Sequence, residues 1–123
     1  MKTRILIVDD HTVYRSTLRT MINMQHDMEV VGEAENGLCA IAEARRVLPD
    51  IILMDAKMPI MNGVEASRLI LAERPGIKIL ALTIYADDKF KADMMRAGVS
   101  AYILKGEDFV ELCDTIRRAA YDL

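Results

Sequence analysis

The chain has 123 residues, a formal net charge of −3, 52% hydrophobic residues and 28% charged residues. This length suits a single domain with its own hydrophobic core, and the composition is that of a folded globular protein rather than a disordered one. The negative net charge argues against a protein that binds nucleic acid or an anionic membrane through a basic surface.

The sequence carries no apolar run of about 20 residues that could span a membrane. Its N-terminus also lacks the pattern of a secretory signal peptide. We therefore expect a cytoplasmic protein. The two cysteines, Cys39 and Cys113, lie far apart in helical patterns, and we predict that both are reduced core residues rather than a disulfide or metal ligands.

The first third of the chain alternates strand and helix patterns. The continuous apolar run Ile5–Val8 predicts a buried strand, which ends in Asp9 and Asp10. A helix of about three turns follows, because small and apolar residues recur at helical spacing. These residues are Val13, Thr17, Leu18, Met21 and Ile22. The weaker strand pattern of residues 29–34 contains Gly32 and suits the edge of a sheet.

The middle of the chain contains the strand around which the rest is organised. Asn36 is predicted to cap the second helix. The apolar face of that helix consists of Ala40, Ile41, Ala44 and either Val47 or Leu48. The apolar run Ile51–Met54 predicts a strand buried on both faces, which leads directly into Asp55. Pro59 cannot extend a sheet ladder, and Asn62 suits the start of the third helix. The residues of that helix available to the core are Val64, Leu69 and Ile70.

The fourth strand and helix follow the same pattern. Residues 77–82 predict a strand that delivers Thr83 at its end. Asp87 or Asp88 begins the fourth helix, and Gly98 ends it. The apolar positions of this helix are Phe90, Met94 and Ala97.

The last strand and helix complete the pattern. Residues 101–104 predict the fifth strand, which delivers Lys105. We expect the last helix to begin at about Glu107, where Glu107 and Asp108 suit the positive end of the helix dipole. Its apolar stripe consists of Phe109, Leu112, Cys113, Ile116, Ala119 and Ala120.

Five alternations of strand and helix predict an α/β fold, namely a doubly wound, five-stranded parallel sheet with helices on both faces. The common order for five strands is 2-1-3-4-5, the flavodoxin-like arrangement, in which strands one and three are neighbours at the switch point. The strand ends that carry polar side chains then meet at one crevice. These side chains are Asp9, Asp10, Asp55, Thr83 and Lys105.

The predicted crevice has the chemistry of a phosphoryl-transfer site. Neighbouring carboxylates repel one another unless a cation lies between them, and an open site of oxygen ligands favours Mg²⁺. Thr83 offers a hydroxyl donor and Lys105 an ammonium, both suited to phosphoryl oxygens. Asp55 is the best candidate nucleophile for an aspartyl phosphate, because Asp9 and Asp10 together have the character of a metal arm.

Taken together, the sequence resembles the response-regulator receiver domains of two-component signalling over its whole length, residues 1–123. The residues that carry the resemblance are Asp9, Asp10, Asp55, Met58, Pro59, Met61, Gly63, Thr83, Tyr102 and Lys105. The runs Asp9-Asp10-His11 and Leu82-Thr83-Ile84-Tyr85 are most similar to the NarL/FixJ subgroup.

The resemblance implies a site and a donor. Asp55 would accept a phosphoryl group from a sensor histidine kinase. Asp10 would bind Mg²⁺ directly and Asp9 through water, while Asp55 and the backbone carbonyl of Lys57 would complete the protein ligands. The resemblance implies a signalling protein rather than an enzyme.

The resemblance also implies a readout. Thr83 and Lys105 would hold the phosphoryl group, and Thr83 with Tyr102 would switch the surface of helix four, strand five and helix five. The expected consequences are a homodimer on activation and control of transcription through a LuxR-type DNA-binding domain that follows in a longer natural protein. This chain alone is expected to bind neither nucleic acid nor membrane.

Two positions depart from the family pattern. Gly106 stands where many receivers have proline, and Ile84 stands where many have a smaller residue. We expect Ile84 to restrict access to the phosphorylation pocket. We expect His11, beside two acids, to be a local hydrogen-bond partner.

Three alternatives compete with this interpretation. A Mg²⁺-dependent phosphatase of the haloacid-dehalogenase type also uses an aspartate nucleophile, but it needs a second aspartate where this chain has Lys57. A flavodoxin-like cofactor carrier needs a phosphate loop where this chain has Asp9 and Asp10. A receiver that works without phosphorylation is disfavoured because the whole acceptor set is present.

Overall fold

The computed structural model describes residues 1–84 and 87–121. Tyr85, which contributes to the subgroup resemblance, lies outside the described residues. The strands are β1 (Thr3–Val8), β2 (Met28–Ala34), β3 (Ile51–Met54), β4 (Lys78–Thr83) and β5 (Ala101–Leu104). The helices are α1 (Thr12–Asn23), α2 (Gly37–Val47), α3 (Gly63–Glu73), α4 (Asp88–Ala97) and α5 (Phe109–Tyr121).

The five strands form one parallel sheet in the order β2-β1-β3-β4-β5, as predicted. β3 lies at the centre, and every one of its residues is buried. β2 lies at an edge, also as predicted, and its register with β1 shifts between Ile5 and Leu6. The order places the carboxyl ends of β1 and β3 side by side, where ligands bind in such sheets.

The core consists of two clusters, one on each face of the sheet, because successive strand residues point to opposite faces. One cluster joins the sheet to α2, α3 and α4, with Met94 as its largest fully buried helical side chain. The other joins the sheet to α1 and α5, where Leu18, Ile22 and Ile116 are buried. The sheet is therefore covered by helices on both sides, which leaves its carboxyl edge as the place for a site.

Most of the predicted helix boundaries are confirmed by caps. The side chains of Asn36, Asn62 and Asp87 accept hydrogen bonds from backbone N–H groups in the first turns of α2, α3 and α4. Gly98 ends α4 with a φ of 104°, a left-handed value that favours glycine. Among the described residues, none of the helices combines the length and apolar character needed to cross a membrane.

Several predictions about helix faces are wrong by a small rotation. Leu69 is exposed, and Val47 rather than Leu48 supplies the last buried position of α2. Cys113 is buried as predicted, but Cys39 is exposed, because the buried stripe of α2 runs through residues 37, 40, 44 and 47. Both cysteines are free.

The last helix begins two residues later than predicted. α5 starts at Phe109, because Asp108 caps it by accepting a hydrogen bond of 2.9 Å from the N–H of Val110. Gly106, just before it, has a φ of 92° and turns the chain away from β5. The peptide bond between Lys105 and Gly106 is trans.

Candidate functional site

The site is built first from the carboxyl ends of β1 and β3. Backbone hydrogen bonds continue past the strand ends, from the N–H of Asp9 to the carbonyl of Ala34 and from the N–H of Asp55 to the carbonyl of Val8, each 3.0 Å long. Asp9 and Asp55 are both only 2% exposed. The sheet therefore fixes two buried carboxylates beside each other, as the sequence predicts.

Lys105 lies between these two carboxylates. Its Nζ is 2.5 Å from Oδ2 of Asp9 and 3.3 Å from Oδ2 of Asp55, and its side chain is 6% exposed. The ammonium also lies 4.7 Å from the centre of the Tyr14 ring. One buried cation thus serves two buried anions, so the cluster keeps an excess of negative charge.

The pKa values reflect this excess. Burial raises the pKa of Asp55 from 3.8 to about 6, the Lys105 ammonium opposes the rise, and the Asp9 carboxylate adds to it. Burial, together with the carboxylates of Asp9 and Asp55, raises the pKa of Tyr14 to about 12. Asp55 is therefore held in an environment that penalises its charged form until another cation arrives.

The acidic groups have the arrangement of a cation site. One ligand atom from each of Asp9, Asp10, His11 and Asp55 lies within 4.8 Å of the others. Oδ1 of Asp10 is buried and accepts no hydrogen bond from the described residues. Buried polar atoms are rarely left without a partner. Oxygen ligands and an orphaned carboxylate oxygen fit a hard divalent cation such as Mg²⁺.

His11 is a local hydrogen-bond partner, as predicted. Its backbone N–H donates to Oδ1 of Asp9 over 2.8 Å, and its Nδ1 lies 3.1 Å from the same oxygen. The same Nδ1 lies 3.3 Å from Oδ1 of Asp10, but not in hydrogen-bonding geometry. His11 therefore supports the acidic arm and also belongs to the group of potential ligands.

Thr83 and Tyr102 lie on the same face of the sheet. Ala81 is the register partner of Tyr102, and both belong to the cluster that faces α2, α3 and α4. Thr83 follows Ala81 by two residues and so points to the same side. Thr83 is fully buried, and its carbonyl accepts a hydrogen bond of 2.7 Å from the N–H of Lys105.

Two further positions have mixed outcomes. The ammonium of Lys57 lies 5.1 Å from the centre of the Phe90 ring. That the backbone carbonyl of Lys57 binds the metal stays a prediction. Ile84 is exposed and lines a shallow apolar groove with Val13, Tyr14 and Lys105. Its effect on access to the pocket likewise stays a prediction.

Arg15 is a site residue that the sequence analysis missed. Its Nη1 donates to the carbonyl of Asp9 over 2.5 Å, and its Nε pairs with Glu33 over 3.1 Å. The guanidinium therefore ties the acidic arm to the edge strand. The sequence offers only an arginine one helical turn after His11, and that spacing alone does not place its guanidinium against the Asp9 carbonyl.

Together, the fold and the site define a class: flavodoxin-like α/β proteins with an acidic pocket and a lysine at the carboxyl edge of the sheet. Residues 5–117 match the response regulator receiver domain family, and the chain belongs to that family. This membership favours the receiver over the phosphatase and the cofactor carrier.

The relatives agree with the subgroup resemblance. The chain is 38% identical over 114 residues to the response regulator GacA of Pseudomonas viridiflava. The aligned residues are 93% of this chain and 53% of GacA. It is 41% identical over 120 residues to the response regulator protein VraR of Staphylococcus aureus strain Mu3. The aligned residues are 98% of this chain and 57% of VraR. The chain thus spans about half the length of the curated relatives it matches.

Solved structures agree with the fold. A LuxR-family two-component response regulator from Aurantimonas sp. SI85-9A1 has a TM-score of 0.92 and 32% identity, covering 98% of this chain and 86% of that one. The response regulator domain of Thermotoga maritima CheB has a TM-score of 0.91 and 32% identity, covering 98% and 97%. These relatives place the chain with the LuxR-type, NarL/FixJ-like receivers.

Proposed function

We propose that residues 1–123 form one phosphoacceptor receiver domain, in which Asp55 takes a phosphoryl group from a sensor histidine kinase with the help of Mg²⁺. One observation supports this most strongly: Asp55 and Asp9 are buried side by side and share the single ammonium of Lys105. Such a cluster is short of positive charge, which a divalent cation at its open side would supply, and that cation would in turn attract the phosphoryl oxygens.

The proposed metal site uses Asp9, Asp10, Asp55 and the carbonyl of Lys57. Mg²⁺ bound there supplies positive charge that stabilises both the acidic cluster and the phosphoryl oxygens during transfer. The orphaned Oδ1 of Asp10 is the protein atom best prepared to bind it. Arg15 holds the Asp9 backbone in place and so keeps the acidic arm aimed at Asp55.

The proposed reaction is a displacement at phosphorus. A carboxylate oxygen of Asp55 forms the new bond to phosphorus, and the bond from phosphorus to the imidazole nitrogen of a phosphohistidine breaks. The imidazole keeps the electron pair of that bond and takes a proton from solvent. Lys105, already 3.3 Å from Asp55, shifts to the phosphoryl oxygens, and the Thr83 hydroxyl donates to them.

The proposed output is a change of surface. Thr83 and Tyr102 share one face of the sheet, so movement of Thr83 towards a phosphoryl group would vacate space that the Tyr102 ring can fill. The surface formed by α4, β5 and α5 would then differ between the two states. Such a switch needs two arrangements within a few kcal/mol of each other.

The proposed biological context rests on the relatives. A LuxR-family structure from Staphylococcus aureus with 26% identity and a TM-score of 0.90 is described as a DNA-binding response regulator. We propose a cytoplasmic signalling protein without enzymatic activity of its own, which forms a homodimer on activation and controls transcription through a DNA-binding effector domain in a longer natural protein.

A small phosphodonor tests the proposal without the kinase. The protein is incubated with acetyl phosphate and Mg²⁺, and its intact mass is measured. We expect one added phosphoryl group that hydroxylamine removes, and none in the Asp55→Asn variant. Asp50→Asn is the matched control and should be labelled like the wild type. Asp50 directly precedes β3, at the end of the strand opposite to Asp55, and its side chain accepts a hydrogen bond from the N–H of Arg4. Undiminished labelling of Asp55→Asn would overturn the assignment.

A further inference from the structure

The loop between β3 and α3, residues 55–62, carries both the proposed acceptor and the Lys57 carbonyl. Its base is closed by a hydrogen bond of 2.8 Å from the N–H of Gly63 to the carbonyl of Ala56. A Cβ at Gly63 would lie 2.0 Å from the carbonyl oxygen of Asp55. The base of the loop therefore requires glycine, but this contact does not reach the middle of the loop.

The middle of the loop is strained. Ile60 has a φ of 71°, and the N–H of Met61 donates to the carbonyl of Pro59 over 2.7 Å. A hydrogen bond that spans a single residue with this φ is a γ-turn of the rare, unfavourable kind, and a β-branched residue suits it poorly. The Ile60 side chain is 79% exposed, so its own packing does not hold the turn. Strain of this kind persists only where neighbouring structure enforces it.

The neighbouring structure is the first residue of α2. The N–H of Gly37 donates to the carbonyl of Met61 over 2.9 Å. The first N–H groups of a helix have no partner within the helix, so this donor is available to another segment. The buried side chain of Asn36 caps Cys39 over 2.8 Å, which leaves the Gly37 donor to the loop.

The absence of a side chain at Gly37 permits this approach. A Cβ there would lie 2.6 Å from the carbonyl oxygen and 2.9 Å from Cγ of Met61, and 3.0 Å from Cβ of Ala66. The closest of these atoms belongs to the backbone, so it can yield only if the loop moves. Any side chain at position 37 would push the loop away from α2.

We infer that Gly37 is a positioning residue for the proposed phosphoryl-transfer site. The start of α2 holds the strained turn at Ile60, and the turn fixes how the loop presents Asp55 and the Lys57 carbonyl to Mg²⁺. This inference rests on the proposed function for the identity of the metal. Gly37 belongs to a different β–α unit from the loop, and its role is to position the loop rather than to bind the metal or the phosphoryl group.

The test compares Gly37→Ala with Gly76→Ala. Gly76 is the matched control, because nothing lies within 4 Å of a Cβ added there and its φ is not left-handed. Mg²⁺ affinity is measured by calorimetric titration of each metal-free protein. Residues that orient metal ligands change affinity by roughly tenfold or more when they are altered. We expect a loss of roughly that size for Gly37→Ala and unchanged affinity for Gly76→Ala.

Equal Mg²⁺ affinity in wild type and Gly37→Ala would overturn the inference, and so would equal losses in both variants. Should Gly37→Ala fail to fold, amide hydrogen exchange of the wild type decides. Because coupling between two sites is reciprocal, Mg²⁺ should slow exchange of the Gly37 N–H. Unchanged exchange there would overturn the inference. Acetyl phosphate labelling of wild type tests the proposed function separately, since Mg²⁺ affinity is read without it.

Discussion

Asp55 is the residue on which burial and charge act most strongly against each other. Its pKa of about 6 exceeds the ordinary 3.8, because burial outweighs the attraction of Lys105. Between these two values the folded protein binds more protons than the unfolded chain, so this group makes stability fall as pH rises. Above about pH 6 this loss in the free energy of unfolding reaches its full value, which is at most about 3 kcal/mol.

The first prediction follows from that sign. In EDTA, Asp55→Asn should melt at a higher temperature than wild type above about pH 6, because the amide carries no charge to bury. The advantage should shrink as pH falls towards about 4, where wild-type Asp55 is protonated. Thermal melts across this range measure it, and an advantage that grows towards low pH would contradict the account.

Asp10 carries the second prediction. Its carboxylate lies in one acidic cluster with those of Asp9 and Asp55, so Asp10→Asn should relieve repulsion in the metal-free protein by on the order of 1 kcal/mol. The expected rise in melting temperature is roughly 4 °C, and the same change should weaken Mg²⁺ binding. Melts with and without Mg²⁺ decide it: a lower melting temperature for the metal-free variant would count against the acidic cluster.

At the scale of elements, β4 and β5 connect the site to the proposed readout surface. Thr83 is buried at the end of β4, and Tyr102 lies half-buried on β5 next to α4. Burial, followed by the Asp87 carboxylate, raises the pKa of Tyr102, which keeps its hydroxyl neutral. We therefore expect a change at Thr83 to reach the surface at helix α4.

The third prediction is that Thr83→Ala uncouples this path. The variant should still bind a phosphate mimic at Asp55, but amide NMR shifts on α4 and α5 should be much smaller than in wild type. Thr20→Ala is a matched control, because Thr20 is an exposed threonine on α1 whose hydroxyl donates to the Ser16 carbonyl within the same helix. Full-sized shifts in Thr83→Ala would disprove the coupling.

The elements also explain what the sequence could predict. The carboxyl ends of parallel strands share one edge, so polar residues that directly follow apolar runs could be placed together without coordinates. The buried faces of the helices were predicted less well. Each residue turns the helix by about 100°, so an error of one position moves a side chain from the core to the surface. Leu69 and Cys39 were misplaced for this reason.

Other features of the site depend on backbone geometry that no sequence pattern expresses. Arg15 is a site residue only because the carbonyl of Asp9 lies within its reach. Gly37 matters through a carbonyl from a loop more than 20 residues away in the chain. The left-handed Ile60 contradicts its own residue preference, which is typical of strained functional loops.

At the scale of the whole molecule, charge governs the fourth prediction. The net charge of −3 opposes binding to a polyanion, so the chain by itself should not bind duplex DNA. Fluorescence anisotropy with labelled duplex tests this, with a helix-turn-helix protein and its operator as the positive control. Salt-sensitive binding at micromolar protein would show the prediction to be wrong.

The central claim is that Asp55, among three neighbouring carboxylates, accepts the phosphoryl group. Borohydride reduces an aspartyl phosphate to homoserine, so peptide mass spectrometry of the labelled, reduced protein identifies the residue directly. We expect homoserine at position 55 only, with Asp9 and Asp10 intact. Homoserine at position 9 or 10, with Asp55 unchanged, would contradict the account.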